Sequence, residues 1–223
     1  SLAQKIGAER MVWRYDPIVL SNLTPPSFHV EQFESIAEQL KGHTHRCVIS
    51  VVDIYKKAKE RFQALAEQGV TLPPDPTSDE TFAQMMRQLA TKAHQCGMSI
   101  QSCAEPIDLS SFGIAPGKCI DDTYLKEVLN VPLPELGKDK GQRDACGCVE
   151  SREIGAYDTC LFGCQYCYAT TSFEIANEHH KAHDPHSPML FGSPTAEDLA
   201  WCEQITASLQ SSKRPKLETK KLF

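Results

Sequence analysis

The sequence predicts an α/β fold in which a parallel sheet is covered by helices and followed by a loop-rich, cysteine-rich C-terminal segment. Three observations predict it. Short apolar strands alternate with amphipathic helices up to residue 105. The strands are apolar almost throughout rather than at every second residue. Seven of the ten cysteines lie beyond residue 106, within or beside turn signals. Taken in order, residues 11–15 (Met-Val-Trp-Arg-Tyr) read as a strand that stops at Asp16-Pro17. Ser27 is the expected cap of a helix whose stripe is Val30, Phe33, Ile36, Ala37 and Leu40, with Gly42 past its end. Residues 47–52 form a β-branched strand ending at Asp53, and a helix with Ala58, Phe62 and Leu65 inward closes at Gly69. After the Pro-rich turn at 72–76, Ser78 is the expected cap of a helix carrying Phe82, Met85, Met86, Leu89 and Ala93, closed by Gly97. Residues 98–103 are a third strand, ending at Glu105-Pro106.

A carboxylate follows each strand: Asp16, Asp53 and Glu105. Asp and Glu also start loops and cap helices. Recurrence at three consecutive strand ends favours a shared catalytic site, because parallel α/β sheets place their active sites at the carboxyl ends of strands. Three strands do not close a barrel. Either the sheet is small and open, or further strands come from outside the segment read here.

Composition narrows the class. The chain has 223 residues, is 41% hydrophobic and carries a net charge of -6, which gives no general reason to expect a nucleic-acid or membrane partner. No apolar run reaches the length of a membrane span, and no signal peptide opens the sequence. Ten cysteines without an export signal fit metal ligation in a reducing cytoplasm better than disulfide stapling.

Cys160, Cys164 and Cys167 stand in TCLFGCQYCYA, a C-x3-C-x2-C loop with Tyr166 before the third sulfur. Three thiolates in one short loop can hold three irons of a cubane and leave the fourth open to a small molecule, whereas a structural zinc site closes with four ligands. Four more cysteines fall at loops. Cys146-Gly-Cys148 is a C-x-C pair whose sulfurs can face one metal, and Cys103 and Cys119 can reach the same side. The natural partition is three plus four, one open and one closed centre. The alternative is that Cys148 completes the 160–167 loop into a closed cluster. Cys47, Cys96 and Cys202 sit within strand or helix patterns and are expected in the core. His179, His180, His183 and His186 are read as a polar surface segment ending in Asp184-Pro185 rather than as ligands.

The C-x3-C-x2-C spacing with its aromatic residue resembles that of the radical S-adenosylmethionine enzymes. WRYDPI at 13–18, RCVISVVDIYKK at 46–57, CAEPIDLSSFGIAPGKCID at 103–121 and DKGQRDACGCVESREIGAYDTCLFGCQYCYA at 139–169 resemble a bacterial family called domain of unknown function 1848. Its members look like iron–sulfur proteins related in motif to enzymes such as spore photoproduct lyase. The resemblance implies a partial TIM-barrel-like domain at 1–105 and a cysteine-rich iron–sulfur segment at 106–192. A C-terminal helix at 193–210 and a basic, disordered tail at 211–223 complete the expected organisation. Full-length relatives carry a further N-terminal segment, so a truncated or split chain is expected, its sheet completed by an N-terminal fragment or a partner subunit. The cysteine loop follows the last strand here instead of the first, and this order leaves S-adenosylmethionine binding open.

Two functional classes follow. In the first, Cys160, Cys164 and Cys167 bind a [4Fe-4S] cluster and S-adenosylmethionine, Tyr166 packs beside the cluster or the adenine, and Asp16, Asp53 and Glu105 orient substrate or cofactor. A flavodoxin or ferredoxin supplies the electron, and the substrate is a small molecule or a macromolecule. In the second, one or two closed four-cysteine sites hold iron–sulfur clusters or zinc for electron transfer or for structure. A zinc-stabilised nucleic-acid binder would lean on the basic tail, and the acidic net charge argues against it.

Overall fold

The computed structural model describes residues 1–187 and 189–211. The expected basic tail, beyond Ser211, lies outside the described residues. The chain forms two compact units, Ser1–Glu153 and Ile154–Phe223.

In the first unit a short helix α1 (Leu2–Ile6) precedes β1 (Val12–Ile18), α2 (Pro26–Leu40), β2 (Arg46–Val51), α3 (Lys56–Glu67), α4 (Glu80–Gln95), β3 (Ser99–Cys103), β4 (Ala115–Gly117) and α5 (Asp122–Glu127). The four strands pair in parallel in the order β1-β2-β3-β4. The expected α/β architecture is therefore present, with one more strand than the apolar pattern predicts. β4 is only Ala-Pro-Gly, whose residues have poor strand propensity, and Pro116 is tolerated because β4 is an edge. Gly117 is required there, since a Cβ would stand 2.7 Å from Gln101 Cβ and 3.0 Å from the Ser102 carbonyl oxygen.

Other differences have local causes. β1 runs through Asp16-Pro17 to Ile18, because β1 is also an edge and a register shift between Tyr15 and Ile18 absorbs the proline. Ser27 does not cap α2; Pro25 is the cap residue and Pro26 begins the helix, where a fixed φ suits the first helical position. Ser78 lies in a 3-10 turn, and Asp79 caps α4 by accepting the Thr81 N–H at 2.9 Å.

Register assigns the two sheet faces. Trp13, Cys47 and Ile100 align across the strands, as do Tyr15, Ile49 and Ser102. This face packs on α2 and α4 around Phe33, Phe82, Met85, Met86 and Leu89. Cys47 and Cys96 are buried there, as expected. His29 is buried too, with Nε2 donating to the Val19 carbonyl at 3.0 Å and Nδ1 accepting from the Tyr15 hydroxyl at 2.9 Å. Burial lowers its pKa below the ordinary histidine value, so the ring is held neutral. The opposite face bears Arg14, Val48 and Gln101 in one row, and Cys103 beside Gly117. Val48 and Cys103 on this face are buried against Cys146 and Cys148 rather than against the α2/α4 layer.

The second unit holds α6 (Phe173–Lys181) and α7 (Ala196–Ser211). His179 and His180 lie in the last turn of α6. Cys202 corrects an expectation. It is exposed on α7, as are Leu199, Trp201 and Ile205, so the apolar residues of this helix do not mark a buried face.

Candidate metal centres

Four cysteines converge in the first unit from three separated stretches of chain. Cys103 ends β3, and the strand pairing sets it beside Gly117 at the end of β4, two residues before Cys119. Cys103 Sγ and Cys119 Sγ stand 2.6 Å apart. Cys146 and Cys148 return from a distant loop and pack with Cys103, Ala104 and Val48 in one buried cluster. That loop is tied down by backbone bonds: Val149 N–H to Ile120 C=O at 3.2 Å, and Asp139 N–H to Cys148 C=O at 3.0 Å. Cys148 Sγ accepts the Ile120 N–H at 3.4 Å. Ala104, between Cys103 and Glu105, has φ +54, a conformation that few alanines adopt. It turns the chain so that Cys103 joins the sulfurs while Glu105 reaches back to β2.

Arg14 bridges the sulfurs and the carboxylates. Its Nη1 donates to Cys119 Sγ at 2.8 Å, and its Nε donates to Asp16 Oδ2 at 2.9 Å. Asp16 also accepts from the Ser50 hydroxyl. Hydrogen bonding from Cys103 is the largest influence on Cys119 and, with Arg14, lowers its pKa to about 6 against the opposing effect of burial. The pKa of Cys103 is raised, first by that same bond and then by burial. The two thiols titrate as a pair, and the Arg14 guanidinium favours a thiolate on that pair.

The strand-end carboxylates divide. Glu105 accepts the Val51 N–H at 2.8 Å, and its pKa is raised by burial, with a further contribution from the charge of Asp16. Asp16 and Glu105 thus share one neighbourhood. Asp53 is engaged separately, in an ion pair with Arg143. A cavity of about 440 Å³ opens at the ends of β3 and β4, lined by Ser102, Glu105, Ile107, Leu109 and Gly117 among others. Arg14, Ser50 and Arg143 were not expected from the sequence. Arg14 had a signal, since residues two apart in a strand share a face and Arg14 stands two before Asp16. Arg143 had none, because its partner is 90 residues away.

In the second unit the C-x3-C-x2-C loop is an irregular turn. Cys160 is exposed, and Cys164 and Cys167 are half-buried. The Cys167 N–H donates to the Cys164 carbonyl at 3.1 Å, and Gly163 takes φ +70, which a side chain would resist. Cys167 Sγ lies 3.5 Å from Thr170 Oγ1, and Thr170 is buried. Tyr166 is 37% exposed.

The donor sets suit metals that favour thiolates: four sulfurs in one unit, three in the other. Among the described residues, no group of three or more His, Cys, Asp or Glu side chains is placed to hold a metal ion. The fit is one of donor type, and the sulfurs would have to rearrange to share an ion. Thiolates on a tetrahedral ion at about 2.3 Å stand roughly 3.8 Å apart, so Cys103 and Cys119 would separate from 2.6 Å to share one.

The family model described as "Domain of unknown function (DUF1848)" matches residues 1–169. The chain belongs to that family. The family match takes in both cysteine groups and ends just after Cys167, leaving Cys202 outside it. No curated protein and no solved structure matches the chain. No helix among the described residues is long and apolar enough to cross a membrane.

Proposed function

We propose that this member of the family is an iron–sulfur enzyme of the radical S-adenosylmethionine type. Cys160, Cys164 and Cys167 hold an open [4Fe-4S] cluster, and Cys103, Cys119, Cys146 and Cys148 hold a second, closed centre. The observation that carries the reading is the separation of seven sulfurs into three on one short loop and four gathered at strand ends. Bound on three cysteines, such a cluster supplies an open iron for S-adenosylmethionine and an electron for its cleavage. The residues of the chain do the rest. Arg14 stabilises Cys119 as a thiolate and fixes Asp16. Glu105, its pKa raised by burial, lines the adjoining cavity, where its carboxyl group can exchange a proton with a polar group of substrate. Asp16, paired with Arg14, orients the substrate, while Tyr166 packs against the cluster or the adenine. Asp53, tied to Arg143, holds the loop that brings in Cys146. The electron comes from a flavodoxin- or ferredoxin-type donor.

The test is iron and sulfide analysis of anaerobically purified protein, with electron paramagnetic resonance of the reduced state. The reading predicts about eight irons per chain and a signal that shifts on adding S-adenosylmethionine. Signals indifferent to the cofactor would overturn the open-iron assignment.

A second reading is favoured by one observation. Cys103, Cys119, Cys146 and Cys148 are a full set of four ligands, as zinc or a closed cluster requires. On that reading the protein transfers electrons or uses the metal structurally. Zinc in place of iron in the same analysis would select it.

A further inference from the structure

Cys160, Cys164 and Cys167 lie on a loop of the second unit whose two ends meet at one residue outside the motif. We infer that Asp158 is the positioning residue of the cysteine loop, a clip that closes the segment bearing Cys160, Cys164 and Cys167 so that the three can be drawn onto one metal. The inference rests on the proposal that this loop binds a metal.

Asp158 makes four hydrogen bonds, three to backbone groups at the far end of the loop and one to the His179 ring. Its N–H donates to the Ala169 carbonyl at 2.9 Å. Its carboxylate Oδ1 accepts the N–H of Thr171, and that of Ser172 at 3.2 Å. Its own carbonyl oxygen is 2.7 Å from His179 Nδ1, which donates. Everything between Asp158 and Thr171, all three cysteines included, is therefore closed into one compact loop by a single side chain and its backbone. The far side is anchored to structure. Ser172 caps α6, its hydroxyl accepting the Ile175 N–H at 3.3 Å, and the His179 ring stacks on Phe191 at 4.0 Å and 6°. Asp158 takes φ +56, a left-handed conformation that Asp and Asn tolerate better than most residues. An acceptor three bonds from Cα and tolerance of that φ are both needed. Asp and Asn combine them.

This requirement defines the experiment. Asp158→Asn keeps the Oδ1 acceptor and tolerates the backbone. Asp158→Gly relieves the backbone but removes the acceptor, so it separates hydrogen bonding from strain. Both are made in the full chain, alongside Cys164→Ala, which identifies the loop's share of iron and its resonance signal. The clip predicts that Asp158→Asn retains that iron and its signal. Asp158→Gly should weaken iron retention against a chelator about 10–100-fold, the usual cost of losing a residue that orients metal ligands. The four-cysteine centre of the first unit should keep its iron in both variants. Full retention in Asp158→Gly would overturn the inference. A Cys164→Ala variant with unchanged iron would instead overturn the reading beneath it. The clip is then judged by amide hydrogen exchange of residues 159–170 in metal-free protein. Asp158→Gly should remove protection there and Asp158→Asn preserve it, and equal protection in all three proteins would overturn the clip.

Discussion

The two cysteine groups are assembled in opposite ways. In the second unit, proximity is written into the chain, because Cys160, Cys164 and Cys167 share a single turn between Asp158 and Thr171. In the first, Cys103, Cys119, Cys146 and Cys148 meet only because β3 pairs with β4 and the 146–149 loop binds back at Ile120. A local site survives partial unfolding of its surroundings, whereas a site gathered by topology is lost with its sheet. The first group is therefore a reporter of the fold, and the second of its own loop.

The largest expected effect that would break this contrast is on the core. Phe33 is fully buried against Trp13 and Tyr15, and Phe33→Ala should cost about 3–5 kcal/mol of unfolding free energy in the first unit. Iron on the four-cysteine centre should fall with it while iron on the loop persists; parallel loss from both would dissolve the distinction. A milder variant, Gly117→Ala, forces β4 away from Gln101 and should cost about 1–3 kcal/mol by chemical denaturation. It shifts Cys119 relative to Cys103, so metal affinity of the first unit should drop before its fold does.

The pH dependence sharpens the contrast differently. His29 is neutral in the folded first unit, its pKa lowered by burial, and regains an ordinary value near 6.5 when unfolded. Its contribution to stability is complete above that value and is lost as pH falls from about 6.5 through the depressed folded value. Thermal unfolding of the first unit followed from pH 8 to pH 5 should show this loss, and His29→Gln should flatten it. The smallest effect is expected at Cys202, exposed on α7, where Cys202→Ala should leave iron content unchanged and alter stability by less than about 0.5 kcal/mol.

The parallel sheet, its helical cover and the core thiols Cys47 and Cys96 were legible in the sequence because apolar runs and helical stripes are local patterns. β4 was not, since three residues containing Pro and Gly look like a turn until an edge accepts them. Caps failed where a neighbour competed: Pro25, not Ser27, holds the cap position of α2, and Asp79 displaced Ser78. Turn signals placed Cys103, Cys119, Cys146 and Cys148 at loops, and the structure brings these four near one another. The contact of Arg14 with Cys119 and that of Asp158 with His179 could not be read in this way, because those partners lie 105 and 21 residues away. Cys202 was misread because a helical pattern does not reveal whether another element covers it.

The most direct test of two separately assembled centres is iron and sulfide content of Cys164→Ala, Cys148→Ala and the double variant, purified anaerobically in parallel. Independent centres predict that each single variant keeps about four of roughly eight irons, that each loses a different resonance signal, and that the double variant keeps almost none. If either single variant loses all the iron, or Cys148→Ala abolishes the same signal as Cys164→Ala, the sulfurs serve one shared centre and the account is contradicted.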